Sequence, residues 1–525
     1  MPESEKNDGW ACKGNSYFEA FYKGLGIVPE NEWEDFMSAA KSPLPVSFRI
    51  TGFRSEAKAM LGIIEEEYLS KFEVENKTSA TEKSEICDFV RLPWYPDNLA
   101  FQIQMDRRTI RRTPAYQRFH EMLVSETESG GISRQETVSM IPPILLDVKP
   151  NHKVIDMCAA PGSKTAQILE MLHADESGLV MAKSRGFVVA NDSDAKRCQL
   201  LVHQLQRLQS PLLCVTCHDA STYPFLKMED NEALSFDRVL CDVPCSGDGT
   251  VRKNPMIWKR WSLTSGTALN KLQNRILRRG LEMLRSDGEG RLVYSTCSLN
   301  PAENEAVVAA VLMAGGESLS VADISTKLPG LKTRQGLTDW SYVSQDGVVM
   351  KNANDVPPPL KKSFHHAVFC PENLSENIKT QLRRCIRILP HDNNTGGFFV
   401  AVFEKNGKLD WQKSIHPLAL AASTGNEEGE KAKSANSDEC QEAKKPKLES
   451  KVHVEKPQLP QKPGNKKLHH YMNEAPLIWL TEDHEDWKQI KNFFNLESSG
   501  DDGTFIPPNC LCSRTEGSRR RYAVY

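Results

Sequence analysis

The stretch KVIDMCAAPGSKTAQILEMLHA, residues 153–174, changes character twice. It opens as a short β-rich run, tightens into small residues, and continues as an amphipathic helix. The small residues Ala159, Ala160, Gly162 and Ser163 let backbone approach a ligand closely. The helix that follows presents unbonded N–H groups to a carboxylate or phosphate. The stretch is not G-x-G-x-x-G. It is not G-x-x-x-x-G-K-[ST] either, because no glycine stands five before Gly162. A dinucleotide or a P-loop nucleotide is therefore not the first expectation.

The same unit recurs downstream. Further β-rich runs are GFVVAND (186–192), LLCVTCHDA (212–220), FDRVLCDVP (236–244) and GRLVYSTC (290–297). Helical segments lie between them, including DAKRCQLLVHQLQRL (194–208), where Cys198, Leu201, Val202 and Leu205 repeat at helical spacing and predict one apolar face. Strands alternating with helices predict an α/β fold with a parallel, doubly wound sheet. RCIRILPHDNNTGGFFVAVFEK (384–405) reads as a closing hairpin of that sheet.

Ligands of such sheets sit beyond the carboxyl ends of the strands. Unusual residues cluster there. The first run ends in the small-residue loop. The second ends at Asp192, suited to the two hydroxyls of a ribose; the third ends at Asp219, placed to accept from an adenine amino group; the fourth ends at Asp242. Each aspartate alone would read as a helix cap or turn former. Together they describe an adenosine-bearing ligand whose charged tail meets the first helix.

The remaining chain divides by composition. Residues 1–125 form an α+β region: FYKGLGIVPENEWEDFMSAA reads as helix, turn, helix, and PLPVSFRITG as an extended segment. MDRRTIRRTPAYQRFH (105–120) carries Arg107, Arg108, Arg111, Arg112 and Arg118 with Tyr116 and Phe119 alongside, a phosphate-binding surface or a solvated face. Residues 126–408 form the sheet domain. Residues 409–470 are charged and proline-rich, as in a disordered linker, and contain the basic run KKPK (444–447). Residues 471–525 suggest a small, incomplete C-terminal domain. The formal net charge is −3, so nothing global announces a nucleic-acid partner. No apolar run approaches the ~20 residues of a membrane span, and no secretory signal is visible at the start. The fourteen cysteines read as free thiols of a reducing compartment, with Cys198, Cys214 and Cys385 as core residues. Cys214-x-x-Cys217 and Cys510-x-Cys512 lack matching halves, so no metal site is expected.

Two cysteines stand apart. Cys245 follows the fourth strand and Cys297 ends the fifth. Either they are passive core thiols, or one is a nucleophile and the other assists it.

Three segments, CAAPGSKT (158–165), DVPCSGDG (242–249) and YSTCSLNPAENE (294–305), together resemble the Sun-family RNA (cytosine-5)-methyltransferases. SRQETVSMIPPILL (133–146) and ILPHDNNTGGFFVAVF (388–403) are similar to the tRNA-modifying branch of that family. The resemblance runs from about residue 15 to 405. It implies a Rossmann-like fold that uses S-adenosyl-L-methionine, with an N-terminal RNA-binding extension. It implies a cofactor site at Cys158, Ala159, Ala160, Pro161, Gly162, Ser163 and Lys164, with Asp192, Asp219 and Asp242. It implies tRNA as the partner, with messenger and other non-coding RNA as further candidates, a monomer, no membrane and no metal. The implied compartments are nucleus and nucleolus, with cytoplasm in addition.

Carbon 5 of cytosine is too weakly nucleophilic to take a methyl group directly. A thiolate added at carbon 6 makes an enamine whose carbon 5 can react. Pro244-Cys245 is similar to the Pro-Cys dipeptide of DNA cytosine methyltransferases, which would make Cys245 the attacker. The resemblance to the RNA enzymes instead implies that Cys297 attacks and Cys245 assists release. It also implies that Asp242 binds the cytosine ring nitrogen or amino group, and that Lys164 lies near the base. Arg252, Lys253, Lys259 and Arg260 are candidate phosphate contacts, with Trp258 and Trp261 either stacking bases or packing in the core. Two other function classes stay open: a DNA cytosine-5 methyltransferase, and a non-catalytic RNA-binding scaffold.

Overall fold

The computed structural model describes residues 14–53, 56–69, 89–174, 186–227, 233–344 and 348–413, with isolated positions between 478 and 523. Most of the linker and its KKPK run lie outside the described residues. The chain divides into two units, Met1–Asn426 and Glu427–Tyr525.

In the first unit, helices Ser16–Leu25 and Trp33–Lys41 form the expected helix–turn–helix. The Asn15 side chain accepts the Tyr17 and Phe18 N–H groups at the start of the first helix, and Gly26, at φ 65°, ends it. Four antiparallel strands follow: β1 (Pro45–Ile50), β2 (Phe89–Arg91), β3 (Ala100–Asp106) and β4 (Ile132–Arg134), in the order β2-β3-β1-β4. Phe48 and Phe101 stack on one face of this sheet, and Phe119 of the helix Gln117–Ser129 packs tilted against Phe48.

The central sheet takes β5 (Lys153–Asp156), β6 (Phe187–Asp192), β7 (Leu213–Cys217), β8 (Arg238–Asp242) and β9 (Asp287–Thr296) in parallel. β10 (Leu319–Val321), β11 (Arg334–Gln335), β14 (Ile386–Ile388) and β15 (Phe398–Asn406) complete it, while β12 (Tyr342–Val343) and β13 (Val349–Met350) form a separate hairpin. The strand order is β7-β6-β5-β8-β9-β15-β14-β11, with β10 paired to β15. β15 runs antiparallel between β9 and β14, so the closing hairpin is part of the same sheet. The order reverses between β5 and β8, which makes the ends of these two strands the switch point where ligands bind in such folds. This is the Rossmann-like architecture expected. The middles of β5 (Val154, Ile155) and β8 (Val239, Leu240, Cys241) are apolar and fully buried because both faces are covered.

Arg49, fully buried on β1, ties the N-terminal sheet to the central one. It donates to Gln135 Oε1 at 2.8 Å and pairs with Glu170 on the helix Ser163–Leu172. Burial of a guanidinium is tolerated here because both partners are present.

Several expectations need correction. Val202 is exposed; the apolar face of the helix Ala195–Leu205 is Cys198, Leu201 and Leu205. Cys214 is exposed on β7, not a core thiol, and Cys217, three residues on, points to the other face. Phe119 is core, so it cannot flank a phosphate.

In the second unit, short strands at Ile478–Trp479, Leu511–Ser513 and Tyr522–Ala523 pair antiparallel.

Candidate active site

The loop after β5 is held from below. Asp156, buried at the end of β5, accepts from Thr165 Oγ1 at 2.8 Å and from the Cys158 N–H at 3.4 Å. Burial pushes its carboxyl up to about 7. Gly162 sits at φ 111°, and a Cβ there would lie 2.9 Å from Leu201 Cδ1. Only glycine suits both demands. No side chain caps the N-terminus of the helix Ser163–Leu172, so its first N–H groups remain for an anionic ligand. Ala159 and Ala160 are buried, Cys158, Ser163 and Lys164 are half-buried, and Pro161 is exposed.

The aspartates at the next two strand ends differ from each other. Asp192 is buried. It accepts from the N–H groups of Ala160 (3.3 Å) and Asp194 (3.1 Å) and pairs with Arg197 at 3.1 Å. It therefore fastens the small-residue loop as well as facing the strand end. Asp219 is exposed, its carboxylate accepts only the local Ser221 N–H among the described bonds, and it starts a short 3₁₀ turn.

At the switch point, Lys164 Nζ donates to Asp242 Oδ2 at 2.7 Å, and Ser295 Oγ donates to Asp242 Oδ1 at 2.7 Å. Each carboxylate oxygen keeps a second lone pair for a ligand. The Lys164 ammonium stands 5.6 Å above the Phe398 ring at the start of β15. Burial pulls the Lys164 pKa down, but the Asp242 charge outweighs it and the net shift is upward, so the ammonium stays charged.

The Cys245 and Cys297 sulfurs lie 3.3 Å apart, both half-buried. The neighbouring Cys297 sulfur, followed by burial, pushes the Cys245 thiol well up and holds it protonated. Two adjacent thiols beside a lysine–aspartate pair suit covalent chemistry in which one sulfur bonds the substrate and the other handles its release.

The outer candidates divide. Arg252 is buried and donates to Thr395 O (2.8 Å), Pro43 O (2.8 Å) and Asn394 Oδ1 (2.6 Å). It fastens loops and does not face a phosphate, which corrects its expected role. Trp258 and Trp261 pack against Phe18 and Phe21, so they are core and not a stacking platform. Lys253, Lys259 and Arg260 are exposed, as are all five arginines from Arg107 to Arg118.

Sequence reasoning missed Asp156, Ser295, Phe398, Asp248 and Glu303. The acids at 156, 248 and 303 lie inside the quoted motifs, but nothing local distinguishes a buried brace from a surface acid. Gln135, given no role from sequence, accepts from Arg49.

Comparison with known proteins gives the site its context. The model of the family "16S rRNA methyltransferase RsmB/F" matches residues 143–404. A Drosophila melanogaster tRNA (cytosine(34)-C(5))-methyltransferase is 41% identical, with 98% of this chain and 67% of the relative covered. The chain belongs to the Sun family of RNA (cytosine-5)-methyltransferases. A Saccharomyces cerevisiae multisite-specific tRNA:(cytosine-C(5))-methyltransferase is 40% identical over 96% of this chain and 69% of its own length. A Pyrococcus abyssi tRNA (cytosine(49)-C(5))-methyltransferase is 29% identical over 71% and 92%. This Sun-family enzyme depends on S-adenosyl-L-methionine. The residues present fit that cofactor: an uncapped helix N-terminus for its carboxylate, a close-approach loop, and aspartates at successive strand ends.

Proposed function

We propose that the enzyme methylates carbon 5 of cytosine in tRNA through a covalent Cys297–cytosine adduct. The observation that carries this reading is the 3.3 Å approach of Cys245 to Cys297 beside the Lys164–Asp242 pair. The names of the relatives support tRNA as substrate, and the differing cytosines in those names leave the target position unassigned.

A cytosine must first leave the RNA stack, at a cost of a few kcal/mol. Asp242 hydrogen-bonds the ring nitrogen or the amino group of the base and so holds the ring for addition at carbon 6. The Cys297 thiolate adds there. The pair of electrons displaced toward carbon 5 makes that carbon the nucleophile. The cofactor, when bound, supplies a methyl group on a positively charged sulfur. Lys164, kept charged by Asp242, offsets negative charge developing on the base. Water takes the carbon 5 proton, the electrons of that bond re-form the carbon 5–carbon 6 double bond, and the Cys297 sulfur leaves as a thiolate that Cys245, held as a thiol, protonates. Residues 158–164, Asp192 and Asp219 hold the cofactor. The same reading makes residues 1–125 an RNA-binding region. It assigns the chain to nucleus and nucleolus on the support of the KKPK run.

Covalent trapping tests the assignment. Wild type, Cys245→Ala and Cys297→Ala are incubated with unmodified tRNA and S-adenosyl-L-methionine and run on denaturing gels. Cys245→Ala should accumulate a protein–RNA adduct, and Cys297→Ala should give neither adduct nor 5-methylcytosine. An adduct that forms only when Cys245 is intact reverses the roles. No adduct and no methylation in any variant would favour a scaffold.

A further inference from the structure

The two cysteine loops are clasped by carboxylates that each loop lends to the other. Asp248, in the Cys245 loop, accepts the Leu299 N–H of the Cys297 loop at 2.8 Å. Glu303, just past the Cys297 loop, accepts the Ser246 N–H at 2.8 Å. Glu303 also accepts the hydroxyls of Ser246 and Ser298, both at 2.5 Å, so it holds the residue following each cysteine. Gln273 donates to Glu303 Oε1 (2.9 Å) and to Pro244 O (3.0 Å), extending the clasp to the residue before Cys245. Behind Asp248, the Tyr22 hydroxyl and the Trp261 indole N–H donate to its other oxygen. Neither carboxylate reaches a surface: Glu303 is fully buried and Asp248 nearly so.

Two buried carboxylates are costly to keep: burial raises the pKa of both, and the Asp248 charge raises that of Glu303 further. A packed apolar pair would hold the loops together at less cost, but it would not fix the loops through directed bonds to Ser246, Ser298 and Leu299. We propose that Glu303 and Asp248 are positioning residues for the covalent chemistry: their reciprocal bonds set the distance between the two thiols. Neither touches the base or the cofactor. Each acts through the loop it holds, in the way a reactive constellation depends on the groups that lock it. This inference rests on the proposed two-cysteine reading for its functional meaning, and its geometric content stands apart from it.

The test reads thiol proximity directly. The full chain is treated with diamide, which takes the two thiol hydrogens, is reduced to the hydrazine and leaves a Cys245–Cys297 disulfide. Peptide mapping follows the rate. Wild type should crosslink fast. Glu303→Ala should crosslink at least about tenfold more slowly, since small misplacements of reacting groups have large rate effects. Glu303→Gln, which accepts the Ser246 N–H and donates to the two hydroxyls, should recover most of the rate. In methylation assays Glu303→Ala should lower kcat and leave KM for S-adenosyl-L-methionine unchanged, which a general loss of structure would not do. Crosslinking of Glu303→Ala at the wild-type rate overturns the proposal. If that variant does not fold, Asp248→Asn and Ser298→Ala carry the test, and wild-type crosslinking in both overturns it. Crosslinking that depends on Glu303 in a protein that methylates no tRNA would sink the functional reading and leave the clasp standing.

Discussion

The cofactor end of the sheet and the cysteine end are built on opposite plans. At the ends of β5 to β7 the proposed cofactor site is mostly backbone, an uncapped helix and a loop that turns at the positive φ of Gly162, with the exposed Asp219 beside it. At the ends of β8 and β9 the ligand meets side chains held by other side chains: Asp242 between Lys164 and Ser295, and two thiols behind which Glu303 and Asp248 are buried. A cofactor that only has to be bound can be held by backbone donors. A base that must be attacked from one side needs reactive groups fixed to fractions of an ångström.

Asp242 belongs to the cysteine plan although it sits at the switch point, and its removal should show which plan governs it. Asp242→Asn should reduce kcat by about 10²–10³-fold, as loss of a charge-stabilising contact does in other enzymes. Cofactor affinity, measured by calorimetry, should change by less than about threefold, about 0.7 kcal/mol. An equal loss in cofactor affinity would place Asp242 with the cofactor loop and dissolve the contrast.

Each end contains a buried acid with its pKa raised to about 7, Glu303 in one and Asp156 in the other. Both are protonated when folded at pH values where the unfolded chain has lost the proton. Stability is therefore greatest below their unfolded pKa values and falls as pH rises toward about 7. The groups facing Glu303 are Asp248, Ser246, Ser298 and Gln273, of which only Asp248 is a carboxyl group, and burial raises its pKa too. Glu303→Gln should remove up to about 3 kcal/mol of that pH dependence, leaving the part due to Asp156 and Asp248. Denaturant unfolding at pH 5, 6, 7 and 8 measures it. An unchanged slope would mean that Glu303 is ionised throughout.

The contrast also explains what the sequence disclosed. The strand–loop–helix unit at 153–172 and the strand after it were legible because their signal is local: β-rich run, small residues, helix, aspartate. The closing hairpin at 384–405 was legible for the same reason. The cysteines were visible through their motifs. Their supports were not, because the Glu303 partner Ser246 is 57 positions away and that of Asp248, Leu299, is 51 away. Arg252 was misread for a related reason. Beside Lys253 it looks like a phosphate ligand, and only the approach of Ser42, Pro43 and Asn394 from both ends of the chain turns it into a buried strut. Val202 satisfied the helical period, yet it sits at the solvent edge of that face.

Two glycines compare the plans at the level of a single methyl group. A Cβ on Gly249 would lie 2.5 Å from Gly397 O and 2.8 Å from Cys297 O, and neither backbone atom can move without shifting a strand end. A Cβ on Gly162 meets the tip of Leu201, which can rotate, though the positive φ remains strained. Gly249→Ala should cost about 2–3 kcal/mol, and Gly162→Ala about 1–2 kcal/mol, by thermal or urea unfolding. Gly162→Ala should weaken cofactor binding, and Gly249→Ala should lower kcat. The reverse order of stability losses would mean that the cofactor loop is the more tightly packed end.

The smallest effect belongs to the surface that neither plan uses. Arg107, Arg108, Arg111 and Arg112 lie on the helix Arg107–Arg112, whose N-terminus is capped by Asp106, and all four guanidiniums are exposed. Exposed side chains contribute little to stability, so Arg107→Ala with Arg111→Ala should change it by less than about 0.5 kcal/mol. If the face meets RNA, the same pair should reduce the slope of log Kd against log salt by about 1 to 2, close to one per phosphate lost. It should do so alike for tRNAs of any sequence, because phosphate contacts carry no base information. An unchanged slope would make the cluster a solvated face and leave the exposed Lys253, Lys259 and Arg260, beside the cysteine loops, as the site of backbone contact. In that case RNA would be gripped only where it is modified, and the cysteine end would supply affinity as well as chemistry.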